Sequence, residues 1–430
     1  LQPVKNFPFT LKNSHNQLKL VLGVFIYPSQ FTIRTKRITD TLKKTPLIQR
    51  LWIFIKRAAM QQTMKYLKVL MLFILLGIIT GITVPPKTIL AQEVSPKIAS
   101  TPIAPTAVIS LSPVPTPNRR TRILFTGDIN LGRCISKRTL NAQVYTNNYN
   151  YSVQFVAEEL GTADITVGSL DGSLSDESQP MPCPDSMNLI GPTKMVEGLQ
   201  FSGFDVMTTA TNHIKDCGTE GFECKNKSLK DTLDTLTAAG IQPVGAGNNL
   251  QESRMPVILE RNGTRFAFLG INQINEAVWA SENTPGTAPL SRAYIGKIKE
   301  QIAAARQIAD VVIVMPHWGV EHEAKPEEIQ RVWARDFIDA GASLVIGNHP
   351  HIVQPMEVFS DKLIFYALGN FIFDQKYDFQ RESIVVEVNF VGAEIESWRM
   401  LPVSINYYTL QTHWAEGMEA EQILARATEE

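Results

Sequence analysis

From Arg122 onward, short apolar runs alternate with longer amphipathic segments, and this alternation constrains the fold more than any other feature of the chain. The runs Ile123–Thr126, Asp164–Ser169, Asp205–Thr209, Arg265–Ile271, Val311–Met315 and Leu344–Ile346 read as strands. Helical periodicity between them predicts helices near Val153–Leu160, Lys194–Phe201, Lys230–Ala239, Ile295–Ile308 and Glu327–Ala340. After His351 the text turns strand-rich, with Ile352–Val358, Leu363–Ala367, Ile384–Phe390 and Trp398–Tyr407, before a last helix over Ala415–Ala427. That order predicts an α/β core, with a mixed sheet or two stacked sheets flanked by helices, rather than a doubly wound dinucleotide fold. Gly245-Ala246-Gly247 lacks the third glycine of a phosphate-binding turn and reads as a tight turn.

Polar residues fall at the carboxyl ends of these strands, where open α/β sheets place their ligand sites. The first strand ends in Gly127-Asp128-Ile129-Asn130 and the second in Leu170-Asp171-Gly172. The third runs into Thr211-Asn212-His213, a later one into Pro316-His317-Trp318, and another into Asn348-His349-Pro350-His351. Any one of these has an ordinary structural reading as a cap, a turn or a hydrogen-bonded loop residue. Together they gather carboxylates, amide and imidazoles in five loops. Such a donor set suits Mn, Zn or Fe, and a shared carboxylate can bridge two ions. Two divalent ions roughly 3.5–4 Å apart clamp both oxygens of a phosphate ester.

The N-terminal part differs in character. Residues 1–120 carry 17 Lys and Arg against two acids, and the remainder carries 24 bases against 40 acids. A domain that acidic repels phosphate backbones, so nucleic acid is not expected as a structural partner. Residues 1–59 precede the first methionine, Met60, and are expected to be an upstream or disordered extension. Within 60–91, Lys65 and Lys68 lead into the uncharged run Val69–Val84, the pattern of a signal peptide or signal anchor. Residues 92–120 continue a Pro-rich stretch that begins at Pro85-Pro86 and predicts an extended linker. These features imply an extracytoplasmic protein, membrane-anchored through its N-terminal segment or secreted. The folded α/β domain is expected over 121–414, with the final helix in 415–430.

The motifs GDINLGR (127–133), ADITVGSLDG (163–172), GFDVMTTATNHIKDCG (203–218), ADVVIVMPHWGVE (309–321), DAGASLVIGNHPHIVQPME (339–357) and KLIFYALGNFIFDQ (362–375) resemble the CapA family of poly-γ-glutamate and capsule biosynthesis. That family is similar to the calcineurin-like metallophosphoesterases, and the resemblance implies a four-layer α/β/β/α sandwich. By position it implies Asp128, Asp171, Asn212, His317, His349 and His351 as metal ligands, with Asp171 bridging. It assigns His213 and Asp171 catalytic roles, His213 steadying charge on phosphoryl oxygens. Glu321 and Asn370 lie in family motifs as candidates for supporting roles. Three positions depart from the usual pattern. Asn130 stands where a metallophosphoesterase usually has His, Asp171 where the family commonly has Glu, and Asn348 where it often has His.

The implied partners are an anionic polymer or phosphoester substrate, the membrane, and a membrane-bound polymer synthase. Two other functions fit the same residues: a non-catalytic accessory for polymer binding and export, and a secreted nucleotidase or phosphatase. No G-x-S-x-G elbow, Walker A loop or H-E-x-x-H helix is present, so a serine hydrolase or an ATP-driven ligase has no residues to stand on. Cys134, Cys183, Cys217 and Cys224 match no zinc spacing and allow three disulfide pairings, Cys217–Cys224 among them, or buried free thiols.

Overall fold

The computed structural model describes residues 9–13, 16–20, 120–140, 148–177, 183, 187–217 and 225–428. The signal or anchor segment and the linker up to residue 119 lie outside them. Among the described residues no helix is long and apolar enough to cross a membrane. Phe9–Asn13 pairs antiparallel with Asn16–Leu20.

From Arg120 onward the fold is built on two sheets. Its strands are β1 (Arg120–Ile129), β2 (Ile165–Leu170), β3 (Val206–Thr208), β4 (Gln242–Val244), β5 (Val257–Arg261), β6 (Thr264–Asn272) and β7 (Val311–His317). They continue as β8 (Leu344–Ile346), β9 (Met356–Phe359), β10 (Lys362–Phe365), β11 (Asn370–Ile372), β12 (Glu382–Val391), β13 (Glu394–Ile405) and β14 (Thr412–Trp414). The first sheet runs β14-β13-β12-β1-β2-β3-β4, with β11 also paired to β1. The second runs β5-β6-β7-β8-β10-β9. In the first sheet β1 through β4 are parallel, and in the second β6, β7, β8 and β10 are parallel. The antiparallel strands lie toward the edges, apart from β12 against β1.

Side-chain alternation along the strands explains the layering. Ile123 and Phe125 of β1 enter a core shared with Phe266, Ile313 and Phe365 of the second sheet. Leu124, between them in sequence, faces the opposite way and packs with Leu160, Leu199 and Leu236. Those three belong to helices α2 (Ala157–Gly161), α3 (Val196–Phe201) and α4 (Lys225–Ala238), which follow α1 (Arg133–Thr139). The second sheet repeats the arrangement. Its outward Leu269, Val312 and Val314 pack on Ile298 and Ile302 of α5 (Ile295–Ala305) and on Trp333 and Phe337 of α6 (Glu328–Asp339). Helix, sheet, sheet and helix are therefore stacked in four layers. Phe266 meets Phe390 edge-on at 5.3 Å between the sheets, and each such fully buried ring contributes roughly 1.5–3 kcal/mol by leaving water. Ile423 and Ala427 of α7 (Gly417–Thr428) join the same inter-sheet core.

The elements expected from periodicity are present with shifted bounds. Among the differences, α4 begins at Lys225 rather than Lys230, β1 extends through Asp128 to Ile129, and the expected Val153–Leu160 helix is helical only over α2. The expected tight turn is instead a bend at Gly245, with φ +89° and its carbonyl accepting from the Ala288 N–H, followed by the short strand Ala246–Gly247 paired antiparallel with Gly286–Thr287, so this segment is no phosphate loop.

Candidate metal centre

The centre forms where carboxyl ends of both sheets meet, and each ligand candidate is set there by its strand. Asp128 follows a register shift in the β1–β2 pairing. Its N–H donates to the Gly369 carbonyl at 2.9 Å. This close approach requires glycine at 127, where a Cβ would fall 2.0 Å from Gly369 O. The Asp128 carboxylate accepts from Ser169 Oγ at 2.9 Å and from the His349 N–H at 3.0 Å, so β2 and the loop after β8 both fix it. His349 and His351 hold φ of 104° and 60°, positive values that cost a non-glycine residue backbone energy and that the packed loop maintains.

Asp171 is the residue that explains the rest. It is fully buried, and among the described residues neither carboxylate oxygen has a hydrogen-bond partner. Its Oδ1 lies 3.6 Å from His317 Nε2, and its Oδ2 lies 3.6 Å from His351 Nε2. Both separations exceed hydrogen-bond length, yet each oxygen points at an imidazole nitrogen.

On the Oδ1 side, His317 Nε2 is also 2.8 Å from Asn212 Oδ1 and 3.2 Å from His349 Nδ1. One imidazole nitrogen has a single proton or a single lone pair, so His317 Nε2 cannot serve the Asp171 carboxylate, the Asn212 amide oxygen and His349 Nδ1 at once. On the Oδ2 side the tautomer can be deduced. Asn370 Nδ2 donates to the carbonyls of His351 and Gln380, at 3.3 and 2.8 Å, which turns its Oδ1 toward His351 Nδ1 at 2.9 Å. His351 Nδ1 therefore carries the proton, and the Nε2 lone pair faces a carboxylate oxygen. Lone pair against carboxylate is repulsive unless a cation lies between them. His351 Nδ1 is also 3.7 Å from Asp128 Oδ2, which brings the first carboxylate to this side.

The electrostatics agree. Burial pushes Asp128 well above the usual carboxylate range, and the neighbouring Asp171 adds to the rise. Burial likewise raises Asp171 to about 6. Burial and the adjacent imidazoles hold His317 and His349 well below 6.5, and burial takes His351 to about 3. Three neutral imidazoles with two poorly compensated carboxylates form a donor set for divalent cations. By donor type the residues therefore fit divalent cations, which Asp128, Asp171, Asn212, His317, His349 and His351 would hold. Glu321 adds a carboxylate to this region: His349, His351 and Glu321 each offer a ligand atom within 4.8 Å of the others.

His213 sits at the mouth, with Nδ1 2.7 Å from Asp216 Oδ2. Burial alone would lower its pKa, but the negative charge of Asp171 and Asp216 overcomes that and raises it to about 9. Asp216, three residues on, is a partner that sequence reasoning missed although the spacing offered the signal. Asn130 behaves as a fastener. Its Oδ1 accepts from the Gly132 N–H at 2.8 Å and its Nδ2 donates to Asp374 at 3.3 Å. Asp374 also pairs with Arg133 and accepts from the Cys134 N–H at 3.0 Å.

All six expected ligands and His213 thus come together. Asn370, expected only to support them, orients His351. Cys134 is bonded to Cys183, Cys217 is also disulfide-bonded, and no free thiol occurs among the described residues, so buried free thiols are excluded there. Cys224 lies outside the described residues.

Residues 122–375 match the family model described as bacterial capsule synthesis protein PGA_cap. The PGA biosynthesis protein CapA of Bacillus subtilis (strain 168) is 29% identical over 309 residues, spanning 71% of this chain and 77% of that protein. The capsule biosynthesis protein CapA of Bacillus anthracis is 31% identical over 279 residues, spanning 63% of this chain and 64% of that protein, just under two thirds of its length. Among solved structures, a 5'-nucleotidase from Candida albicans SC5314 aligns over 71% of this chain and 57% of its own, with 12% identity and a TM-score of 0.37.

Proposed function

From the premise that the chain belongs to the bacterial capsule synthesis protein family PGA_cap, we propose that it acts outside the cytoplasm in poly-γ-glutamate or envelope-polymer biosynthesis as a two-metal phosphoester hydrolase of the metallophosphoesterase type. The N-terminal apolar segment would tether it to the membrane, beside a polymer synthase. The observation that carries the chemistry is the buried Asp171, unpartnered among the described residues, with one oxygen facing His317 Nε2 and the other facing His351 Nε2.

Divalent ions held there would draw charge from a phosphoryl group and activate water. The remaining work belongs to the chain. His317, His349 and His351 stay neutral and keep their lone pairs for ligation. Asn370 keeps His351 Nε2 turned inward. Asp216 occupies His213 Nδ1, which leaves the protonated ring's Nε2 to donate to a phosphoryl or leaving-group oxygen.

The test is the metal content of the purified protein with hydrolysis of bis(4-nitrophenyl) phosphate. About two divalent ions per chain are expected, with metal content falling in His349→Ala and turnover lost in both His349→Ala and Asp128→Asn. Turnover unchanged in both variants refutes the reading. One observation favours a second reading, a polymer-binding export accessory. Asn130, at a position that usually ligates, is committed to Gly132 and Asp374, so one ion has a thinner shell. Metal bound without any phosphoester turnover is the result expected of that reading.

A further inference from the structure

One turn beside the metal centre carries a histidine that the chemistry above does not use. His322 lies in the turn after β7 and takes φ +64°, a value that costs a non-glycine residue backbone energy. The turn is fastened to the segment after β8. The His322 N–H donates to the Pro350 carbonyl at 2.8 Å, and Gln354 Nε2 donates to the Glu323 carbonyl at 2.8 Å. With His213 and His351, His322 borders a cavity of about 290 Å³, and its ring centroid is 6.3 Å from that of His351.

The ring is held as firmly as the backbone. Phe379 packs edge-on against it at 6.4 Å, and the side-chain amide of the buried Gln380 meets His322 Nε2. A backbone N–H can only donate, so the Tyr377 N–H at 3.4 Å fixes Gln380 Oε1 on its side and leaves Nε2 for the imidazole. Gln380 Nε2 therefore donates to His322 Nε2, and the His322 proton sits on Nδ1. Among the described residues that Nδ1–H has no hydrogen-bond partner, on a residue that is exposed yet fixed in place. The turn alone does not call for histidine, since Gly or Asn adopts positive φ at lower cost. The Gln380 carbonyl also accepts from Asn370 Nδ2 at 2.8 Å, so one buried residue takes part in setting the tautomers of both His351 and His322.

We propose that His322 is a further substrate-binding residue of this centre, its Nδ1–H donating to a phosphoryl oxygen, with Gln380 as the residue that positions it. This rests on the phosphoester reading above and adds a contact to it. The arrangement complements His213. There Asp216 occupies Nδ1 and leaves Nε2 to donate, whereas here Gln380 occupies Nε2 and leaves Nδ1. A neutral N–H selects an acceptor oxygen and gives no footing to a protonated amine. The backbone bond to Pro350, which stands between His349 and His351, keeps this donor at a fixed place beside the expected ligands.

The test is calorimetric titration of inorganic phosphate into the Zn-loaded full chain, with metal content and bis(4-nitrophenyl) phosphate turnover measured alongside. His322→Ala should weaken phosphate binding about tenfold at unchanged metal content, the effect of losing one hydrogen bond to a charged acceptor. His322→Asn tolerates positive φ and carries an amide N–H near the Nδ1 position, so it should recover most of the affinity. Phosphate bound at wild-type strength by His322→Ala overturns the proposal, as does a wild type that binds none, or a loss of metal that accounts for the weakening. Nitrogen-15 NMR of the histidine-labelled chain reads the tautomer directly, the His322 signals being those missing from His322→Ala. A proton on Nε2 instead of Nδ1 also overturns the proposal. Absence of turnover in wild type refutes the hydrolase reading alone, because phosphate affinity and tautomer still decide the role of His322.

Discussion

Asp171→Asn should raise the stability of the protein without metal and lower it with metal. Burial lifts Asp171 from 3.8 to about 6. A folded-state pKa above the unfolded value means the ionised form is disfavoured by the fold. The metal-free protein therefore loses stability as pH rises from about 4 to about 6, and the loss is complete above that. The shift corresponds to about 3 kcal/mol, and because the group is fully buried there is little solvent screening to discount it. Asparagine carries no such charge. In chelator at pH 8 the variant should melt roughly 6–12 °C above wild type, using about 2–4 °C per kcal/mol for a domain this large. At pH 4 the two should converge. Added Mn is expected to invert the order: at a hundredfold excess over Kd each filled site would stabilise wild type by about 2.7 kcal/mol, and the variant lacks the Asp171 charge that would help hold the cations. Differential scanning calorimetry at both pH values, with and without metal, reads all four cases. Chelated wild type as stable as the chelated variant at pH 8, with equal gains from metal in both, would refute the argument that Asp171 waits for cations.

Three other predictions are independent of that one. Asn370→Ala should free His351 to flip its tautomer and weaken metal affinity by about 10–100-fold, read by titration calorimetry, with the fold retained by circular dichroism. Glu387, in contact with Arg122 at 2.7 Å and Arg399 at 2.9 Å, is held at about 2: its burial opposes ionisation, but the hydrogen bonds to the two arginines prevail. Arg399 is more than half exposed, so Glu387→Gln should cost on the order of 1–2 kcal/mol after screening, a difference full above pH 4.5 and vanishing as pH falls toward 2 in denaturant titrations. Gly127→Ala places a methyl group 2.0 Å from Gly369 O and should lower the denaturation midpoint by an amount equivalent to about 3 kcal/mol or more, with Asp128 displaced and metal lost.

What the sequence determined by itself was local. Period-two and period-3.6 patterns mark elements because neighbours in the chain alternate between faces, so Ile123 and Phe125 could be assigned to one side of β1 and Leu124 to the other. The polar residues at strand ends were legible for the same reason, and with the family motifs they pointed to the residues that the fold brings together. Tertiary structure decided what each of them faces. Asp171 gains its meaning from His317 and His351, which arrive on the far sheet and its following loop. Asn130 looked like a weakened ligand and is a loop fastener, because Asp374 is brought beside it across 244 positions of chain. Cys134 finds Cys183 rather than a neighbour in sequence, at a separation of 49 residues. Such partners depend on sheet order and register, which no single segment encodes, and the charge balance at the site depends on how much water those partners exclude.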